Sequence, residues 1–238
     1  MAQVYINIDV EHWGRRGSLR GSKPSGVTIW WMEELARHRC LVYEGAPSVH
    51  LPVLTTAIIE RLQANYRCLY LNSPPMVAGL RTYIAAAGVD VATAVASGAL
   101  VLSSEQDHLV DGEFDTDNML SKLAKAVRQA LSDGYSGLWA SGDMLWEFGS
   151  EKNLANLLAY EIELESLLET EPALCGLCLY HRDTLPASAA QIALFTHQTV
   201  YRNESLSRLN PHFRQLTTLR SAPDQAECLV GRMLDQLG

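Results

Sequence analysis

The stretch His38–His50, HRCLVYEGAPSVH, decides the fold. Cys40 to Tyr43 is a short apolar run of the kind that forms a buried strand, and Gly45, Pro47 and Ser48 then mark a small-residue loop. Val53, Leu54, Ala57, Ile58 and Leu62 follow at helical spacing over residues 51–64. Strand, small-residue loop and helix is how many phosphate sites begin, because the free N–H groups of a helix N-terminus attract anions. Here the informative positions fail. In the pattern G-x-x-x-x-G-K-[ST] counted from Gly45, the second glycine is His50, the lysine is Leu51 and the hydroxyl is Pro52. Without that lysine and hydroxyl, the terminal phosphates and magnesium of ATP have no ligands. No G-x-G-x-x-G stands in its place, so dinucleotide binding has no support either.

Outward from this stretch, strands and helices take turns. RCLYLNSP supplies a second strand, a helix over about 76–87 stops at Gly88, and GALVLSS is a third strand. The helix that follows carries Leu120, Leu123, Val127 and Leu131 on one stripe, is capped by Asp117 or Asn118 and ends at Gly134. GLWAS is a fourth strand, residues 151–168 a long helix, and ALCGLCLYH a fifth strand with a helix from Pro186 to Phe195 behind it. TVYRN reads as a sixth strand, and Pro223 opens a terminal helix. Such alternation predicts an α/β fold with a mainly parallel central sheet and helices on both faces. Residues 38–238 then form one domain. Residues 1–37, with an alternating strand at Val4–Val10 and the loop GRRGSLRGSKPSG, form an N-terminal appendage.

Composition narrows the function. With 238 residues and 47% hydrophobic content, the chain can bury a generous core. A net charge of −8 and the lack of any basic run argue against direct nucleic-acid binding, which needs clustered Lys and Arg. No apolar stretch approaches the ~20 residues of a membrane span, and the N-terminus lacks a signal-peptide core. Five cysteines, an odd number, suit a reducing compartment. A cytoplasmic protein is expected. Cys175 and Cys178 form a C-x-x-C, but within a strand side chains three apart point to opposite faces, so structural thiols are expected rather than a redox or metal pair.

Ligands of parallel sheets bind at the carboxyl ends of the strands. That rule nominates Tyr43, Glu44, Ser48 and His50 in the first loop, Asn72 in the second and Glu105 in the third. It adds Gly142, Asp143, Met144 and Trp146 in the fourth, and Cys178, Tyr180 and His181 at the fifth. The segment GLWASGDMLWEFG lacks the G-x-S-x-G spacing of a nucleophile elbow, and its Met and aromatic residues suit either an apolar pocket or helix packing. DGEFDTDN fits neither frame of a calcium loop. His50 and His181, with Cys178 beside them, can face one crevice as a metal trio, but no ligand motif prompts it, and a solvated or hydrogen-bonded histidine is the usual case. No catalytic residue, cofactor or metal is expected.

Taken together, HRCLVYE, RCLYLNSP, AAAGVDVATAVASGALVLSSEQDHLVDGEFDTDNML, GYSGLWASGDMLW, LLAYEIELESLL and CLYHRDTLP resemble the MEDS domain. This is the sensory domain named for methanogens, methylotrophs and the dichloromethane regulator DcmR. The resemblance covers about residues 38–203. It implies a RecA- or KaiC-like three-layer core that has lost its phosphate loop and senses small molecules such as hydrocarbon derivatives. The matching positions are His38, Tyr43, Gly112, Phe114, Asp115, Gly142, Met144, Trp146, Glu161, Cys178 and Tyr180. Asp143, Leu145 and His181 depart from the family's usual Glu, Ser and Asp, which alters the pocket's polarity.

The first expectation is therefore a non-hydrolytic sensor of a small, largely apolar molecule in signalling or transcriptional regulation. With no helix-turn-helix or kinase module in view, its output passes through a separate partner or through self-association. Two alternatives stand beside it: a nucleotide switch or ATPase with an atypical phosphate site at Ser48 and His50, and an interaction module with a vestigial pocket.

Overall fold

The computed structural model describes residues 37–104, 109–110, 113–144, 154–202 and 208–209. The expected strand at Val4–Val10, the terminal helix from Pro223, and the candidates Glu105 and Trp146 lie outside these residues. In chain order the elements are β1 (His38–Tyr43), α1 (Leu51–Gln63), β2 (Tyr66–Leu71), α2 (Pro74–Ala86), α3 (Val91–Ala96) and β3 (Leu100–Ser103). Then come β4 (Leu109–Val110), β5 (Glu113–Phe114), α4 (Thr116–Ser132), β6 (Gly137–Asp143), α5 (Leu154–Thr170), β7 (Leu174–His181), α6 (Ala187–Thr196), β8 (Thr199–Arg202) and β9 (Arg208–Leu209).

The main sheet runs in the order β3-β2-β6-β7-β1-β8-β9. Every pair from β3 to β8 is parallel, and β9 pairs antiparallel with β8. The expected α/β fold, a mainly parallel sheet with helices on both faces, is what the chain adopts. β1 lies between β7 and β8, so the loop that follows it opens at the carboxyl edge of the sheet's interior.

Local signals place the elements. Proline stands in the first turn of α1 and α2, where its missing N–H is no loss. Gly88 and Gly134 end α2 and α4 at φ +89° each, the left-handed turn that glycine takes without strain. The cap of α4 differs from the expectation: Asp115, not Asp117 or Asn118, is the N-cap, and its carboxylate accepts from the Asn118 N–H at 2.6 Å. The helix begins two residues earlier because an extended Asp115 can reach the third helical N–H, whereas Asp117 already lies in the first turn. Helix α3, capped by Asp90, and the two-residue strands β4 and β5 were not anticipated; elements this short leave no periodicity to read.

Strand alternation sorts the core into two faces. On one, Cys40, Leu138, Leu174, Cys178 and Tyr180 pack with Met119, Leu123 and Val127 of α4, Leu157, Tyr160, Leu164 and Leu168 of α5, and Ile192 of α6. On the other, Leu41, Tyr43, Cys68, Tyr70, Trp139 and Leu179 are buried with Leu51, Leu54 and Ile58 of α1 and Leu80 and Ile84 of α2. Cys175 pairs in register with Trp139 and Cys178 with Gly142, an odd step apart, so the two thiols do point to opposite faces. Burial pushes the Cys175 thiol up, away from the thiolate that redox or metal chemistry needs.

Candidate functional site

The loop after β1 closes on itself. Val49 N–H donates to the Ala46 carbonyl at 2.9 Å, Leu51 N–H to Ser48 at 3.1 Å, and Gly45 N–H to the Asp183 carboxylate at 2.7 Å. Three of the N–H groups at this turn are thus engaged within the protein. Below the loop, six side chains with polar groups, Tyr43, His50, Tyr70, Asn72, Asp143 and His181, are buried on the α1/α2 face at the carboxyl edge. Tyr43 donates its hydroxyl to Asp143 at 2.8 Å and is flanked by His50, ring centroids 4.6 Å apart, and by His181, stacked at 4.8 Å. His50 Nε2 lies 3.3 Å from the Tyr70 hydroxyl, which accepts from the Asn72 amide at 2.8 Å. His181 donates Nε2–H to the Gly45 carbonyl at 2.8 Å, while its Nδ1 sits 2.9 Å from the Thr184 hydroxyl. Burial lowers the His50 pKa to about 4, against the pull of the Pro47 carbonyl. Burial and the Asp143 carboxylate together push the Tyr43 phenol up. His50 and Tyr43 are thereby held in their neutral forms inside a stacked and hydrogen-bonded polar cluster.

A second cluster lies on the opposite face. Glu161 of α5 is fully buried, and its Oε2 stands 3.1 Å from His38 Nε2 and 3.6 Å from His197 Nε2. Its other oxygen accepts from the Tyr180 hydroxyl. Cys178 Sγ is 3.7 Å from His38 Nε2 and 4.0 Å from Glu161 Oε2. Burial opposes the Glu161 charge, but the His197 and His38 imidazoles and the Tyr180 hydroxyl bring its pKa below the usual carboxylate value. Burial alone would also lower His38; hydrogen bonds to Glu161 and Glu165 outweigh it and raise His38 to about 9. His197, desolvated and next to His38, falls to about 3 and stays neutral.

Beside this cluster, between β6 and β7 and the helices α4 and α5, is an apolar cavity of about 30 Å³. Leu71, Gly142, Met144, Tyr160, Leu164 and Cys178 are among the residues around it.

A family model described as MEthanogen/methylotroph, DcmR Sensory domain matches residues 37–198. The chain belongs to the MEDS family. No curated protein matches it. Among solved structures, the flagellar accessory protein FlaH from Methanocaldococcus jannaschii is similar over 68% of this chain and 70% of that one, with 18% identity and a TM-score of 0.47. No helix among the described residues is long and apolar enough to cross a membrane.

Within this MEDS domain the residues nominated from sequence divide into two groups. Tyr43, His50, Asn72, Asp143 and His181 do converge, but as a packed polar cluster on the α1/α2 face. Gly142, Met144 and Cys178 meet instead at the apolar cavity on the α4/α5 face, and Tyr180 points to Glu161. Glu44 pairs with Arg182 at 2.5 Å at the surface, and Ser48 is exposed in the loop. The trio His50, His181 and Cys178 is not brought together: the two histidines flank Tyr43, while Cys178 faces the other way. Tyr70, Glu165 and His197 were missed. Tyr70 sits within an apolar strand where only its phenol distinguishes it, and His197 follows a helix with no motif around it. Glu161 was visible only through the family resemblance.

Proposed function

We propose that this chain is a non-catalytic sensor of a small, largely apolar molecule, acting in the cytoplasm in signal transduction or transcriptional regulation. Membership of a sensory-domain family supports a sensing role. The observation that carries the ligand class is the cavity of about 30 Å³ beside Met144 and Leu164, lined mostly by apolar residues, with Ser141, Tyr160, Cys175 and Cys178 as the exceptions. A space of that size holds about two or three heavy atoms, the scale of a one-carbon or short hydrocarbon derivative. The lost lysine and hydroxyl of the first loop, and the internal bonding of its N–H groups, argue against nucleotide turnover. The output passes through a separate protein or a second copy of the chain, and not through direct contact with nucleic acid.

Thermal unfolding of the purified protein against halomethanes, short alcohols, short alkanes and magnesium–ATP tests this reading. A ligand at a hundred times its Kd stabilises by about 2.7 kcal/mol, a rise of roughly 5–10 °C for a domain of this size. Gly176→Ala adds a methyl to the cavity wall at 3.4 Å from the Ala140 carbonyl, and is expected to erase the ligand shift with little change in the ligand-free midpoint. A large shift with ATP and none with the apolar compounds would overturn the proposal.

A further inference from the structure

Among the described residues, the His38–Glu161–Cys178–His197 cluster has a geometry that the sensing role does not require. The four ligand atoms come from β1, α5, β7 and the residue after α6, and all lie within 4.8 Å of one another. We propose that these four side chains form a buried site for a divalent transition metal of the zinc type.

Three observations lead there. The first is the spacing. A tetrahedral ion with metal–ligand distances of 2.0–2.3 Å separates its ligands by about 3.3–3.8 Å. The separations here are 3.1 Å for His38 to Glu161, 3.6 Å for His197 to Glu161, 3.7 Å for Cys178 to His38 and 4.0 Å for Cys178 to Glu161. Shifts of a few tenths of an ångström along these four edges, and closure by up to about 1 Å along the two remaining edges to His197, which lie within 4.8 Å, would seat the ion.

The second is the orientation of the two imidazoles. His197 Nδ1 is 2.9 Å from the Ala193 carbonyl, which can only accept, so Nδ1 carries the hydrogen and the neutral ring presents the lone pair of Nε2. That lone pair faces Glu161 Oε2, an acceptor facing an acceptor, and a shared cation reconciles them. His38 differs: its Nδ1 is held 2.8 Å from the Glu165 carboxylate, and its Nε2 is turned inward to donate to Glu161 at 3.1 Å, so an ion there takes the place of the Nε2 proton. Glu161 is itself fixed from behind by the Tyr180 hydroxyl. Metal-binding histidines are commonly oriented by such an outer ring of carbonyl and carboxylate acceptors.

The third is charge and burial. A Cys178 thiolate and the Glu161 carboxylate match a dication, which on binding displaces the Cys178 thiol proton and the Nε2 proton of His38 and leaves two neutral imidazoles in the shell. All four residues are buried, so no ligand position is open to solvent. Thiolate and imidazole donors exclude calcium and magnesium and favour zinc, iron(II) or cobalt(II). A closed shell of four protein ligands is the arrangement of a structural ion, one that ties β1, α5, β7 and the end of α6 together.

The test uses the full chain, stripped with a chelator and titrated with Zn²⁺ or Co²⁺ alone. One ion per chain is expected. The cobalt form should show the intense visible bands of a tetrahedral ion and a thiolate charge-transfer band in the near ultraviolet. Cys178→Ser should lose the charge-transfer band, His197→Gln should bind at least tenfold more weakly, and Cys175→Ser, on the opposite face, should bind as the parent does. X-ray absorption of the unmutated zinc protein needs no variant to fold, and should give one sulfur and three nitrogen or oxygen neighbours. Absence of stoichiometric binding, or a shell without sulfur, overturns the proposal, as does a cobalt spectrum unchanged in folded Cys178→Ser. None of these outcomes depends on whether the apolar cavity takes a ligand.

Discussion

His50 stands at the N-terminal end of α1, where a phosphate-binding protein would present a glycine, and its ring is buried between Tyr43 and Tyr70. Its pKa of about 4 in the fold, against 6.5 in the unfolded chain, means that the folded state favours the neutral ring. The unfolded chain therefore binds the extra proton first as pH falls. The stabilisation is present in full above pH 6.5 and is lost as pH drops towards 4, by about 3 kcal/mol at most. Urea unfolding across pH 4–7 should show that loss in the parent, and a shallower acid slope in His50→Gln. An equal slope in both would place the acid sensitivity elsewhere.

At the scale of elements, β6 enters the sheet at Gly137, where the neighbouring backbone comes closest. A Cβ built there would stand 2.2 Å from the Ala173 carbonyl oxygen and 2.9 Å from the Tyr66 ring. Backbone cannot yield as a side-chain tip can, so Gly137→Ala must shift β6 against β7 and weaken both neighbouring pairings. A loss of about 3 kcal/mol or more is expected in chemical denaturation, as for other overpacked interior positions. Gly79→Ala is the contrast: its close neighbour is only the Leu51 methyl at 2.9 Å, which can rotate away, and a cost of about 1 kcal/mol is expected. The order of strands and helices was legible in the sequence because each long element carries its own period. The cap of α4 was misplaced by two residues because Asp115, Asp117 and Asn118 are all good capping residues, and only backbone geometry selects among them.

At the scale of the described core, stability and ligand binding draw on the same packing. Leu164 of α5 is buried in the core and borders the apolar cavity. Leu164→Ala is expected to lower stability by about 2–5 kcal/mol, through lost burial and an enlarged cavity. If the cavity is the sensing site, the same variant should bind larger apolar compounds that the parent rejects, read as a larger thermal shift in the variant than in the parent. Lower stability with no gain in the size of accepted ligand would place the ligand elsewhere. The candidate site was only partly legible: the loops at the carboxyl edge could be nominated, but not the side of the sheet to which each side chain turns.

The sequence by itself determined the alternating α/β architecture, the failure of the phosphate loop at His50, Leu51 and Pro52, and the opposed facing of Cys175 and Cys178. These are local matters of period, residue type and parity within one strand. Only the tertiary structure decided that Cys178 turns towards Glu161 while His181 turns towards Tyr43, and that His38 meets a cysteine 140 residues away. Strand parity says which residues share a face, but strand order and crossovers determine which helix covers it. His197 joins the cluster because α6 returns the chain to β8 beside β1, a placement that no residue near it encodes.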